Sequence, residues 1–150
     1  MTGIELQSSA FQDHSPIPRR YALEGENVSP PLTWSGVPQD AAELVLVCED
    51  PDAPSGTFVH WVVVGIDPHS DGAGSGEHPR GGTDLVNGYG LRGWGGPHPP
   101  PGDDAHHYHF RLYALDEPCV LPDEPTAEQV HRAVAEREVA SGTLVGLYHR

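Results

Sequence analysis

The sequence predicts a mainly β domain, on three observations. Eighteen glycines and 16 prolines are spread through 150 residues, a composition of short strands and turns rather than long helices. Several segments either alternate apolar and polar residues or are apolar at every position, the marks of half-buried and fully covered strands. Only one stretch carries a helix signature. A chain of this length is expected to form one domain over residues 1–150, burying roughly 68–70% of its unfolded surface.

The elements follow in order. Ile4-Glu-Leu6 and Leu32-Thr-Trp34 alternate and are expected as outer strands. Leu44-Val-Leu-Val-Cys48 and Phe58 to Ile66 are apolar on both parities, as central strands are. Strict alternation in the second puts His60 on one face with Val62, Val64 and Ile66, at the end of the series. Between them, Asp50-Pro-Asp-Ala-Pro54 is stiff, because residues preceding proline are biased to extended backbone. Its Ala53–Pro54 bond is open between cis and trans. Ser70 to His78 reads as a flexible loop. His106 to Leu115 has a period of two, with His106, Tyr108, Phe110, Leu112 and Ala114 on one face, so the histidine and tyrosine lie where an interior face reaches its rim. Thr126-Ala-Glu-Gln129 resembles a capping box, and Val130, Ala133 and Val134 form an apolar stripe, which predicts a helix over residues 126–138. Thr143 to Tyr148 is a last strand, starting as early as Val139.

Charge narrows the partners. Eight Lys and Arg against 22 Asp and Glu give a formal charge of −14. Such a field repels nucleic acid and anionic bilayers, so no nucleic-acid binding and no stable membrane insertion are expected. No apolar run approaches the roughly 18 residues of a membrane span, and Met1 to Gln7 lacks the basic start and apolar stretch of a signal peptide. Cys48, at the end of an apolar run, is expected as a buried free thiol, and with Cys119 the only other cysteine a disulfide scaffold is not expected. The location expected is cytoplasmic.

Chemistry-bearing residues gather at strand ends: Asp50 and Asp52 in a stiff turn, His60 opening one strand, His106 and Tyr108 opening another. Each alone reads as an ordinary turn former or rim residue; together they suggest a pocket. Gly93 to Gly102, rich in glycine and proline just before the His106 strand, can expose backbone N–H groups in a rigid loop.

Five stretches occur in order: Gly25-Glu-Asn-Val-Ser-Pro-Pro-Leu-Thr-Trp-Ser-Gly-Val-Pro38, Asp50-Pro-Asp-Ala-Pro54, Phe58-Val-His-Trp61, Gly95-Gly-Pro97 and His106-His-Tyr108. Together they resemble the phosphatidylethanolamine-binding protein family, in its bacterial Raf-kinase-inhibitor-like branch, from Ile4 to Tyr148. The resemblance implies a β-sandwich of two antiparallel sheets with a few peripheral helices. It also implies a small surface cavity for phosphate-like anions and phosphoryl headgroups. Carried over, the ligand-binding residues are Asp50, Asp52, Phe58 as an aromatic wall, His60, Gly96 and Pro97 as the loop beside the anion, His106 and Tyr108. His107 replaces an arginine common in the family, and alternation turns it away from the pocket.

The function expected is non-catalytic binding of a phosphorylated or anionic small molecule, with no cofactor. Two imidazoles, a phenol and backbone N–H groups would donate to oxyanion oxygens, and a carboxylate beside His60 or His106 would raise that ring's pKa. A kinase partner and a homodimer are implied by the resemblance alone. The alternative is a metal-dependent or acid–base hydrolase built on the same Asp/His cluster. Against it, no HExxH-like spacing is present, and Ser55 lacks a G-x-S-x-G setting.

Overall fold

The structure is a computed structural model that describes residues 3–150. Met1 and Thr2, where the stretch read for a signal peptide begins, lie outside the described residues. The strands in chain order are β1 (Glu5–Gln7), β2 (Ser15–Pro16), β3 (Leu32–Ser35), β4 (Glu43–Asp50), β5 (Phe58–Ile66), β6 (Gly72–Ala73), β7 (Thr83–Asp84), β8 (His106–Leu115) and β9 (Glu138–Tyr148), with helix α1 (Ala127–Arg137) leading directly into β9. They form a three-stranded sheet, β1-β3-β6, and a six-stranded sheet, β2-β9-β8-β4-β5-β7. The pairing is antiparallel except between β2 and β9, which run parallel, a departure from the all-antiparallel expectation.

Why β4 is apolar at successive positions is now plain. Leu44, Leu46 and Cys48 point into the core shared with the small sheet, against Leu6, Leu32, Trp34, Phe110 and Leu112. Val45 and Val47 point the other way, onto Val130 and Val134 of α1. Every residue of β4 is buried. The predicted face of β8 also holds: His106, Tyr108, Phe110, Leu112 and Ala114 are all buried.

The face assigned to β5 needs correction. The pairing runs Cys48↔Trp61, then Glu49↔Val59, so His60 is the extra residue of a β-bulge. A second irregularity lies between Leu44↔Ile66 and Leu46↔Val63, where Gly65 adopts φ +70°, a left-handed conformation glycine tolerates best. Each inserted residue reverses the alternation beyond it. Val62 and Val64 therefore pack toward α1, whereas Ile66 enters the inter-sheet core. His60 turns to that same side, its ring 5.1 Å from Tyr108 and 6.5 Å from Trp94.

The stretch from Ser70 to His78 is not simply a loop, since Gly72–Ala73 pairs with Leu32–Thr33 and completes the small sheet. The capping box is present as predicted: Gln129 N–H donates to Thr126 Oγ1 at 3.1 Å and Thr126 N–H to Gln129 Oε1 at 2.9 Å. Thr126→Ala removes one arm of it and is expected to lower stability by about 1 kcal/mol; urea denaturation reads this, and an unchanged midpoint would argue against the cap's contribution. Among the described residues no helix is long and apolar enough to cross a membrane.

Candidate functional site

Topology brings the chemistry together. β4 runs antiparallel to both β5 and β8, so its last residue, Asp50, meets the first residues of the other two. Phe58 and His60 arrive from β5, His106 and Tyr108 from β8. Around them a cavity of about 190 Å³ is lined by Asp50, Ala53, Pro54, Ser55, Phe58, His60, Tyr89, His98, Pro99, Pro100, His106 and Tyr108.

Asp50 is 3% exposed and both its oxygens are occupied. Oδ2 lies 2.6 Å from His106 Nδ1, and Oδ1 accepts the Asp52 N–H at 2.8 Å. The second bond closes an Asx-type turn, which makes the DPDAP segment a fixed wall. Its prolines follow trans bonds. A carboxylate only accepts, so His106 Nδ1 carries a proton. The opposite nitrogen, Nε2, is 3.0 Å from Asp103 Oδ2. Burial disfavours the charged ring, but the hydrogen bonds and charges of Asp50 and Asp103 outweigh it, and the His106 pKa is raised.

His60 behaves oppositely. Its Nδ1 donates to the Gly95 carbonyl at 2.6 Å, and burial, chiefly, lowers its pKa. The ring is thus a neutral imidazole whose Nε2 offers a lone pair. Phe58 stands 4.8 Å from both His60 and Tyr89, forming the aromatic wall. Tyr108 is 1% exposed and lines the cavity. Burial, then the charge of Asp50, pushes its pKa up, so the phenol stays protonated and keeps a proton to donate.

Three sequence-predicted residues stand elsewhere than expected. Asp52 does not line the cavity; its Oδ2 accepts from His107 N at 2.8 Å and His107 Nδ1 at 2.7 Å, tying the turn to the outer edge of β8. Burial pushes that carboxyl up, but the bonds from His107 prevail and its pKa is lowered. Gly96 and Pro97 do not line the cavity either. The Gly96 N–H is taken by Asn27 Oδ1 at 2.7 Å, and its carbonyl accepts from Tyr89 Oη at 2.7 Å. A Cβ there would sit 2.2 Å from the Tyr21 carbonyl oxygen, so this glycine permits close backbone approach rather than anion contact. Pro97 has no N–H at all, and its carbonyl accepts from Leu23 N.

The loop reaches the cavity instead through the next residues, His98, Pro99 and Pro100. Tyr89, its pKa raised to about 12 by burial and then by Asp50's charge, was not expected in the site. Its signal was slight: an aromatic between Gly88 and Gly90, outside any strand or helix that would bury it. Among the described residues no group of three or more His, Cys, Asp or Glu side chains is disposed to hold a metal ion.

The comparisons agree with this architecture. The family model described as phosphatidylethanolamine-binding protein matches residues 7–149. A UPF0098 protein of Methanothermobacter thermautotrophicus is 43% identical over 152 residues, covering 98% of this chain and 99% of that protein. A Mycobacterium tuberculosis protein named as a lipoprotein, LppC, is 43% identical over 145 residues, 97% of this chain and 72% of its own length. The crystal structure of Escherichia coli YbcL, described as a member of the mammalian PEBP family, superposes with a TM-score of 0.91 at 28% identity over 99% of both chains.

Proposed function

The chain belongs to the phosphatidylethanolamine-binding protein family, in its bacterial Raf-kinase-inhibitor-like branch, and from that premise we propose that it binds small phosphorylated or other oxyanionic molecules at the β4/β5/β8 cavity without transforming them. The observation that carries this reading is the cavity itself, which Tyr108 and His106 line together. The Tyr108 phenol keeps its proton and can donate it to an oxyanion oxygen. His106, whose raised pKa favours the imidazolium, supplies the charge, and charge-assisted hydrogen bonds are the stronger kind. Neutral His60 can accept the remaining proton of a monoprotonated phosphate through Nε2. Asp50, with both oxygens engaged, orients His106 rather than touching the ligand.

A hydrolase gains no support from this arrangement. His106 is held between two carboxylates and is a poor proton acceptor, while His60 Nδ1 is anchored by a carbonyl. Two free thiols support a reducing, cytoplasmic compartment. A kinase partner and a homodimer rest on the resemblance alone.

Titration calorimetry with inorganic phosphate tests the proposal. Tyr108→Phe removes one hydrogen bond and is expected to weaken phosphate by about five- to tenfold while changing unfolding stability by less than about 1 kcal/mol. Equal affinity in the variant, or no phosphate binding by the wild type, overturns it.

A further inference from the structure

His106 has one nitrogen held by a buried partner and the other by an exposed one. Asp50 and the His106 ring are 4% and 5% exposed, 2.6 Å apart, whereas the Asp103 side chain is 43% exposed and 3.0 Å from Nε2. The first contact is part of the core's edge. The second is screened by water and costs little to open. Asp103 follows Gly102, at φ +88°, in the loop whose earlier residues His98, Pro99 and Pro100 wall the cavity. That loop is anchored on either side of the cavity wall: Arg150 Nε donates to the Pro99 carbonyl at 2.7 Å, and Gly102 N–H donates to the Arg150 carbonyl at 3.1 Å. The Asp103 carboxylate is thus kept near the ring even when its bond to Nε2 opens.

We propose that Asp103 is an internal occupant of the oxyanion position on His106, which makes the site selective for doubly charged oxyanions over carboxylates. The inference rests on reading the cavity as an oxyanion site. A tethered carboxylate competes at an effective concentration on the order of millimolar or above, and a free carboxylate offers the same charge and geometry with no tether. It therefore cannot displace Asp103 at ordinary concentrations. A dianion, such as a phosphomonoester or sulfate, attracts the imidazolium more strongly and displaces it. Asp104, the next residue and exposed, adds a second negative charge that weak anions must overcome.

Sulfate and acetate, titrated into wild type, Asp103→Asn and Asp103→Ala at about pH 6, below the ordinary imidazole value, test this. Binding is read by calorimetry for sulfate and by the His106 imidazole NMR signals for both anions. The expected result is sulfate binding to wild type, about three- to tenfold tighter in Asp103→Ala, with acetate perturbing His106 in Asp103→Ala alone. The asparagine variant, which keeps a neutral acceptor for Nε2–H, should fall between. Sulfate binding that is unchanged or weaker in both variants, without acetate binding, overturns the inference and leaves the oxyanion reading standing. Failure of every form to bind sulfate refutes both.

Discussion

Replacing Asp50 by alanine is expected to lower the stability of the protein by about 3 kcal/mol near pH 6, because it strips a buried ring of its buried partner. The carboxylate and His106 meet at 2.6 Å with almost no solvent access, and removing one member of such a pair leaves the other uncompensated. The cost lies at the lower end for buried pairs, since Asp103 still holds the far nitrogen and the ring can shed its proton. The Asp52 N–H loses its acceptor as well, so the turn carrying Ala53, Pro54 and Ser55 loosens, and sulfate or phosphate binding should disappear with it. Asp50→Asn keeps the shape and an acceptor for Nδ1–H and should lose less. A raised histidine pKa contributes stability that is complete below the unfolded value and lost as pH rises through the folded one. The gap between wild type and Asp50→Ala should therefore narrow toward alkaline pH. Guanidinium unfolding across that range reads both effects; a variant within about 1 kcal/mol of wild type at pH 6 would show that the pair contributes little.

Sulfate affinity should fall by about tenfold per pH unit above the raised His106 pKa. The cause is the choice of proton. Once the ring is neutral, its single hydrogen stays on Nδ1, where Asp50 accepts it; Nε2 then presents a lone pair to the anion. The other groups facing the cavity do not blur the effect. His60 has a lowered pKa and sheds its proton at lower pH than His106, and burial keeps Tyr89 and Tyr108 protonated. His98 is exposed and is controlled by His98→Ala. Sulfate is the probe because its own charge is constant here, whereas a phosphoryl group titrates near pH 6. An affinity that is flat or rises with pH would remove the imidazolium from the binding account. His106→Gln should abolish the slope along with most of the affinity.

Much of the fold was legible because its signals are local. The alternation in β8 is visible over ten consecutive residues, and the capping box needs only Thr126 and Gln129. The strands that escaped notice, β2, β6 and β7, have two residues each, too few to show a period. They exist because longer neighbours present an edge for them to pair with. At the site, Asp50, Phe58, His60, His106 and Tyr108 could be singled out as polar or aromatic residues at strand ends and on motif resemblance. Asp103 could not, since nothing about an acid in a Pro-Pro-Gly-Asp-Asp turn indicates that a histidine three residues on will accept it as a partner.

The sequence by itself determined which longer segments become strands, where the helix begins, and that the acids and imidazoles stand at the margins of apolar runs. Those properties depend on neighbours a few residues apart. Tertiary structure alone decided that His60 faces the sandwich interior, because a bulge is a mismatch between two paired strands and belongs to neither sequence alone. It also decided which donors remain for a guest: Gly96 gave its N–H to Asn27, His106 lies between Asp50 and Asp103, and Tyr108 lines the cavity. A hydrogen bond joins groups by distance in space, and only the folded chain sets those distances.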